Sequence, residues 1–211
     1  MKKSQIRLNP EEFQQIYDNA THYSVRQDLK KLFPELAENA DLPPIRFNLT
    51  PSLQPDSIDF NRSPSLVELK TTQGSITIRL LPGIAPLTVH NFLNLVNKKF
   101  YDGLTFHRVI ADFVIQGGDP SGTGWGGLPF FIPNENSFEP FKRGSVGIAT
   151  SGMDTGSCQF FICQSEQFHL TGDYTLFGQV TKGMQTVDRV LPGDKIIEAK
   201  VISGPLSGNG S

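Results

Sequence analysis

The chain has 211 residues, enough for one sizeable domain and an extension, and its 19 basic and 21 acidic residues nearly cancel. Such a balance gives no electrostatic field that would gather nucleic acid or an anionic membrane, and both partners are set aside. Two cysteines, Cys158 and Cys163, and four histidines without ligand-type spacing predict no disulfide, metal or cofactor site.

The start of the chain is basic, but polar residues follow Met1-Lys2-Lys3-Ser4 where a signal peptide would be apolar. No run of about 18 apolar residues, the length of a membrane span, occurs. A cytoplasmic location is therefore favoured for the chain as given. A periplasmic location stays open if the chain is a fragment of a longer product.

Residues 1–40 are predicted to form a helical extension. Asn9, Pro10 and Glu12 combine an N-cap, a proline for the first helical position and a capping-box carboxylate. A second amphipathic run extends from Val25 to Leu36, and we expect Pro34 to end or kink it. Two such short helices cannot bury their apolar faces alone. They are expected to dock on the main domain, on each other, or on a partner or parent domain that would contact residues 1–60.

The remaining chain divides into three parts by pattern. Residues 41–65 are Pro-rich and predict an extended connector. Residues 66–203 predict the main domain, beginning with a hairpin over 66–80 that turns at Gln73-Gly74, and residues 204–211 a flexible tail. A helix is predicted from Pro86 through Val96 and a second at 183–190. Further strands are predicted at 104–110, 112–117, 145–149, 158–163, 175–181 and 197–202.

Many short strands with two helices predict a mainly β fold, a closed eight-stranded antiparallel barrel capped at its ends. Arg108 and Gln116 stand inside strands that are otherwise apolar, which is costly unless they line a cleft or are paired. Gln159 and Phe161 are two residues apart and share a strand face. Together they predict an apolar floor with a few amide and guanidinium donors.

Four strings carry a resemblance to a known family. FHRVIADFVIQGGD, GSVGIATSG, SCQFFI and YTLFGQV, in this order, resemble the signature blocks of the cyclophilins, over residues 66–203. The resemblance implies a peptidyl-prolyl cis-trans isomerase that rotates Xaa-Pro bonds in peptides and protein clients and assists protein folding. It implies no cofactor.

The resemblance also implies roles for single residues. Arg108 would be the catalytic arginine, and Gln116 would support it and contact the substrate backbone. The proline pocket would consist of Phe113, Val114, Phe161 and Leu170. The residues before the proline would be held by Ala149, Thr150 and Gln159. His169 and Tyr174 stand where the best-known members have tryptophan and histidine, which implies weak binding of cyclosporin.

Elementary physics suits the same residues to this reaction. Rotation about an amide bond faces a barrier of about 18 to 20 kcal/mol, because the nitrogen lone pair is delocalised into the carbonyl. A guanidinium directed at the prolyl nitrogen would favour a localised lone pair. Neighbouring His107 is expected to face the barrel interior instead.

Two other functions stay open from the sequence. The barrel could hold proline-containing peptides without turnover, as a binding module. Alternatively, the N-terminal segment could be the functional part, as a docking or dimerisation arm. The intact set of Arg108, Phe113, Gln116, Gln159 and Phe161 favours the enzyme.

Overall fold

The computed structural model describes residues 9–19, 33–39 and 65–203. The chain forms two compact units, residues 1–47 and residues 48–211. The predicted connector, up to residue 64, and the predicted tail at 204–211 lie outside the described residues. Within the described residues, no helix has the length and apolar character needed to cross a membrane.

The first unit contains helices α1 (Pro10–Asn19) and α2 (Pro34–Asn39). The capping box is confirmed, because the Glu12 N–H donates to Asn9 Oδ1 at 2.8 Å and the Asn9 N–H donates to Glu12 Oε2 at 3.0 Å. Phe13 is fully buried and packs edge-on against Phe33, with ring centroids 6.3 Å apart.

The prediction that Pro34 ends or kinks the second helical run stays a prediction, although Phe33 is not helical and a new helix begins at Pro34. Pro34 is the first residue of α2, a position where its missing N–H costs no helical hydrogen bond. The preceding part of that run, residues 25–32, lies outside the described residues.

The second unit is a mainly β fold. Its eight strands form one sheet. They are β1 (Leu66–Thr71), β2 (Gly74–Leu80), β3 (Phe106–Ile110), β4 (Val114–Gly117), β5 (Ser145–Ile148), β6 (Phe160–Cys163), β7 (Leu176–Lys182) and β8 (Ile196–Ser203). Its helices are α3 (Pro86–Asn97), α4 (Met184–Arg189) and a 3-10 turn (Phe168–Leu170).

The predicted elements are present, with small shifts at their ends. In the first hairpin the turn is Thr72-Gln73 rather than Gln73-Gly74, because Gly74 already pairs with Thr71 as the first residue of β2. The φ angle of Gly74 is +130°, which a side chain would disfavour, and this lets the strand begin immediately after the turn.

The strands follow the order β3-β4-β6-β5-β7-β2-β1-β8, and all neighbouring strands are antiparallel. Backbone hydrogen bonds also join the segment before β3 to the start of β8, so that the two outermost strands of the sheet are connected. Gly103 N–H donates to Ile196 O at 2.7 Å, and Ile196 N–H donates to Leu104 O at 2.8 Å.

A main core fills the concave side of this curled sheet, with α3 contributing Val89, Phe92, Leu93 and Val96. These spacings are those of a buried helical stripe. Cys158 lies in this core, whereas Cys163 lies in a second apolar cluster, and both thiols are free. Burial raises their pKa values, to about 11 for Cys158 and about 12 for Cys163.

A distant carboxylate caps α3. Ala85 precedes Pro86 and offers no side-chain cap. Instead, Glu135 accepts the N–H of Leu87 at 2.9 Å and the N–H and hydroxyl of Thr88, both at 2.7 Å. A negative charge at a helix N-terminus also opposes the positive end of the helix dipole. Glu135 therefore joins the loop before β5 to the helix that covers the core.

Replacing Glu135 by alanine should lower the free energy of unfolding by about 2 kcal/mol, because hydrogen bonds to a charged cap are lost. Chemical denaturation measures this change. The matched control is Glu139→Ala, which removes an exposed carboxylate from the same loop and should change stability by less than about 0.5 kcal/mol. Equal effects of the two substitutions would contradict the capping role.

Candidate active site

Strand register places the predicted site residues side by side. Arg108 on β3 pairs with Gln116 on β4, Gln116 pairs with Phe161 on β6, and Phe161 pairs with Gly147 on β5. Directly paired residues of neighbouring strands point to the same face of a sheet. The result is a row of a guanidinium, an amide and an aromatic ring across three strands, on the face away from the main core.

This row borders a pocket of about 200 Å³. Nine of the eleven predicted site residues line it, namely Arg108, Phe113, Val114, Gln116, Ala149, Thr150, Phe161, Leu170 and Tyr174. The other two, Gln159 and His169, contact residues of the lining. The structure thus brings together all eleven side chains, from segments up to 66 positions apart in the chain.

The pocket has an apolar floor of its own, separate from the main core. This pocket cluster consists of Val114, Phe141, Phe161, Cys163, Leu170 and Leu176. Phe161 stacks on Phe141, with ring centroids 5.6 Å apart, and meets Tyr174 edge-on at 5.7 Å. These contacts fix the Phe161 ring in one orientation beneath the pocket.

Sequence reasoning missed two residues that hold this floor, Phe141 and Gly147. A Cβ at Gly147 would overlap the Phe161 ring and would lie 2.8 Å from Phe141 Cε1. A glycine inside a strand often marks such a close approach, and Gly147 in the middle of β5 was that signal. Phe141 lies outside the strands and gave no pattern.

Arg108 has no ionic partner among the described residues. Its Nη1 donates to Gln116 Oε1 at 3.3 Å, and its guanidinium carbon lies 5.6 Å from the centre of the Phe113 ring. None of the ion pairs within residues 65–203 involves Arg108. Its positive charge is therefore not neutralised by a carboxylate of this part of the chain, and several of its N–H groups remain for a ligand.

Gln159 lies behind Gln116 rather than in the pocket lining. Its Oε1 accepts from Gln116 Nε2 at 2.9 Å, and its own Nε2 donates to Gly124 O at 3.1 Å and Gly126 O at 2.7 Å. The amide hydrogens that a direct contact with a peptide would require are thus already used. Only 8% of the Gln159 surface is exposed.

Tyr174 lines the pocket, and His169 lies behind one of its lining residues, Phe113. The His169 ring stacks on Phe113, with centroids 5.7 Å apart and planes 20° apart. Tyr174 lines the pocket beside Phe161. Neither needs to donate a proton, since rotation about an amide transfers none.

The prediction that His107 faces the barrel interior was wrong. Phe106 pairs with Gly117 and Arg108 with Gln116, so β3 carries one extra residue, His107, in a β-bulge. Phe106 and Val109 instead pack into the core. The His107 ring lies beside Gly124, and both its nitrogens are buried without a hydrogen-bond partner in the described parts of the chain.

The family of this chain follows from the match of most of its second unit to one family model. Residues 66–201 match the model of the family described as cyclophilin type peptidyl-prolyl cis-trans isomerase/CLD. The chain belongs to the cyclophilin family. It is therefore an isomerase of the cyclophilin type, and assistance to protein folding is the general role of this family.

Relatives and solved structures agree with this assignment. This cyclophilin is 46% identical over 142 residues to the peptidyl-prolyl cis-trans isomerase of Helicobacter pylori, covering 65% of this chain and 86% of the relative. It is 47% identical over 128 residues to isomerase B of Bacillus subtilis, covering 60% and 90%. A Cryptosporidium parvum cyclophilin has a similar structure, with a TM-score of 0.64, 30% identity and coverage of 68% of this chain and 100% of that one.

In this cyclophilin, Gly147→Ala should damage the floor of the pocket. The added methyl group displaces the Phe161 ring, which should cost about 1–3 kcal/mol of stability and about tenfold in affinity for a proline peptide. Denaturation and calorimetric titration with an Xaa-Pro peptide measure the two effects. Gly83→Ala is the control, because a Cβ at Gly83 meets nothing within 4 Å. Unchanged affinity in Gly147→Ala would contradict this account of the floor.

The pKa of the His107 imidazole should lie below the ordinary pKa of histidine. Burial lowers its pKa from 6.5, the Asp119 carboxylate opposes that shift, and the Arg108 charge adds to it. The neutral ring therefore stabilises the fold above pH 6.5, and this contribution is lost as the pH falls through the folded-state pKa. NMR titration of the imidazole protons measures the midpoint. A midpoint at or above 6.5 would show that the ring gains a partner when it is charged.

Proposed function

We propose that Arg108 is the catalytic group with which this cyclophilin rotates Xaa-Pro bonds. The observation that carries the proposal is a guanidinium with no carboxylate partner in residues 65–203, at the edge of a pocket with an apolar floor. Directed at the prolyl nitrogen, its N–H groups stabilise the lone pair that localises there in the twisted state. No nucleophile is needed, because no covalent bond is made or broken.

The pocket holds the proline ring while the preceding carbonyl turns. Phe113, Val114, Phe161 and Leu170 offer the apolar walls, and Ala149 and Thr150 flank the side from which the preceding residues enter. A ring held in place concentrates the rotation at the peptide bond, and each tenfold acceleration requires about 1.4 kcal/mol of preferential binding of the twisted state. A Cryptosporidium parvum cyclophilin was crystallised in the presence of the dipeptide Ala-Pro, which supports a ligand of this size.

Gln116 belongs with Arg108 in this proposal. Its Oε1 accepts from the guanidinium, and its Nε2 donates one hydrogen to Gln159 and keeps a second for the substrate backbone. Weak binding of cyclosporin stays a prediction. It rests on His169, whose ring occupies the wall next to Phe113 where an indole donor would be expected from the resemblance.

Two finer statements about the architecture are also proposals. The hydrogen bonds between residues 103–106 and 193–196 support closure of the eight-stranded sheet into a barrel. The capped helix α1 and the Phe13–Phe33 contact support a folded N-terminal arm, with residues 1–60 docking a partner or parent domain. Deletion of residues 1–60 tests the arm, since unchanged action on a protein client would count against it.

Arg108→Ala should lower kcat/KM for an Xaa-Pro test peptide by about 100-fold, as removal of a group that stabilises a transition state does. The measurement is the cis-to-trans rate at several enzyme concentrations, with the fold verified by circular dichroism. Arg108→Lys retains the charge but not the planar fork, and should also lose most of the activity.

Arg79→Ala is the matched control. It removes an exposed arginine from β2, several strands away in the sheet, and should leave kcat/KM within about twofold of the wild type. A wild type that binds the peptide but does not exceed the spontaneous rate would make this chain a proline-binding module. Full activity in Arg108→Ala would remove the arginine from the mechanism.

A further inference from the structure

A buried carboxylate organises the loop next to the site. Asp119 follows β4 and is 1% exposed. Its Oδ1 accepts the N–H and the hydroxyl of Ser121, at 2.7 and 2.8 Å, and its Oδ2 accepts the N–H groups of Gly124 at 2.5 Å and Gly126 at 3.2 Å. Both oxygens are thus used to fold residues 119–126 into one compact loop.

The same two glycines connect the loop to Gln159. While their N–H groups bond to Asp119, their carbonyl oxygens both accept from Gln159 Nε2. The loop cannot easily form around a side chain here, because a Cβ at Gly126 would overlap the Asp119 carboxylate. Asp119 and Gly126 therefore depend on each other, and together they aim two acceptors at one amide.

Those acceptors fix the direction of the next hydrogen bonds. A Gln159 amide turned by 180° would place its oxygen against two carbonyl oxygens, so only the observed orientation is favourable. Its Oε1 then faces Gln116, which must present Nε2 to it and Oε1 to Arg108. Donor and acceptor are therefore fixed at every hydrogen bond between the loop carbonyls and the Arg108 guanidinium.

We propose that Asp119 is a positioning residue for the isomerase reaction, acting through the loop carbonyls and the Gln159–Gln116 amide pair to orient Arg108. The inference rests on the catalytic role proposed for Arg108. Asp119 itself touches no substrate. Its function is to hold two peptide groups so that the guanidinium meets the prolyl nitrogen in one geometry.

Asp119 must be ionised to accept hydrogen bonds at both oxygens. Burial opposes its ionisation, but the hydrogen bonds from Ser121, Gly126 and Gly124 outweigh burial and hold the pKa of Asp119 below its ordinary value of 3.8. The group therefore stays a carboxylate at neutral pH, with both oxygens as acceptors. An asparagine would turn an NH2 group toward N–H groups and lose one side of the loop.

The substitution Asp119→Asn tests the proposal. We expect kcat to fall about tenfold with KM within about twofold of the wild type, because the proline pocket is intact but the guanidinium is less well oriented. The matched control is Asp194→Asn. Asp194 is also a turn carboxylate, accepting from Thr72 Oγ1, Gln73 Nε2 and the Leu191 N–H, but it is not connected to Gln159. The control should keep its kcat.

A double-mutant cycle separates positioning from general stability. In a Gln159→Leu background, which already interrupts the amide pair, Asp119→Asn should reduce kcat by less than about twofold more. Two substitutions that act independently would multiply their effects, and that result would overturn the proposal. If Asp119→Asn does not fold, Gln159→Leu alone must still show the loss of kcat with little change in KM.

An NMR readout distinguishes failure of this inference from failure of the catalytic role of Arg108. The side-chain amide signals of Gln116 and the Nε–H signal of Arg108 should shift in Asp119→Asn and stay in place in Asp194→Asn, whatever the enzyme activity. Shifted signals with full kcat would show that the relay exists but that Arg108 needs no such positioning, which overturns the proposal. Unmoved signals would refute the relay itself.

Discussion

Pairing of β4 with β3 on one side and β6 on the other is the constraint on which this site depends. It sets Arg108, Gln116 and Phe161 in one row, on the opposite face of the sheet from the main core. A slip of one residue in either pairing would turn a member of the row into the core. The bulge at His107 and the mid-strand glycine at Gly147 are the local adjustments that the register requires.

The two apolar clusters of the sheet have different roles, one in stability and the other in forming the pocket. The main core, covered by α3, contains most of the largest buried side chains and supplies stability. The pocket cluster is smaller and open on one side, and its rings are fixed by contacts with each other. A reaction that only rotates a bond needs such an arrangement, because a rigid grip and a fixed charge are all that the protein must provide.

Much of this protein was determined by the sequence alone. A period-two pattern predicted the first hairpin, the six further strands were predicted close to their observed positions, and the helical stripe of α3 was read from Val89, Phe92, Leu93 and Val96. These are local signals, since burial on one face imposes a repeat on neighbouring residues. The signature blocks contain nine of the eleven predicted side chains, and His169 and Leu170 lie between the third and fourth blocks. The blocks meet at one pocket because each contains at least part of a strand of the same sheet.

Only the tertiary structure decided which groups satisfy one another across long stretches of chain. Glu135 caps α3 through the N–H of Leu87, 48 residues before it. The side-chain amide of Gln159 donates to the carbonyl oxygens of Gly124 and Gly126, more than 30 positions away. The position of the His107 ring beside Gly124 follows from the bulge in the strand pairing, which simple alternation does not predict. Periodicity reports which face of an element is buried, but a hydrogen bond depends on distances and angles that packing alone sets.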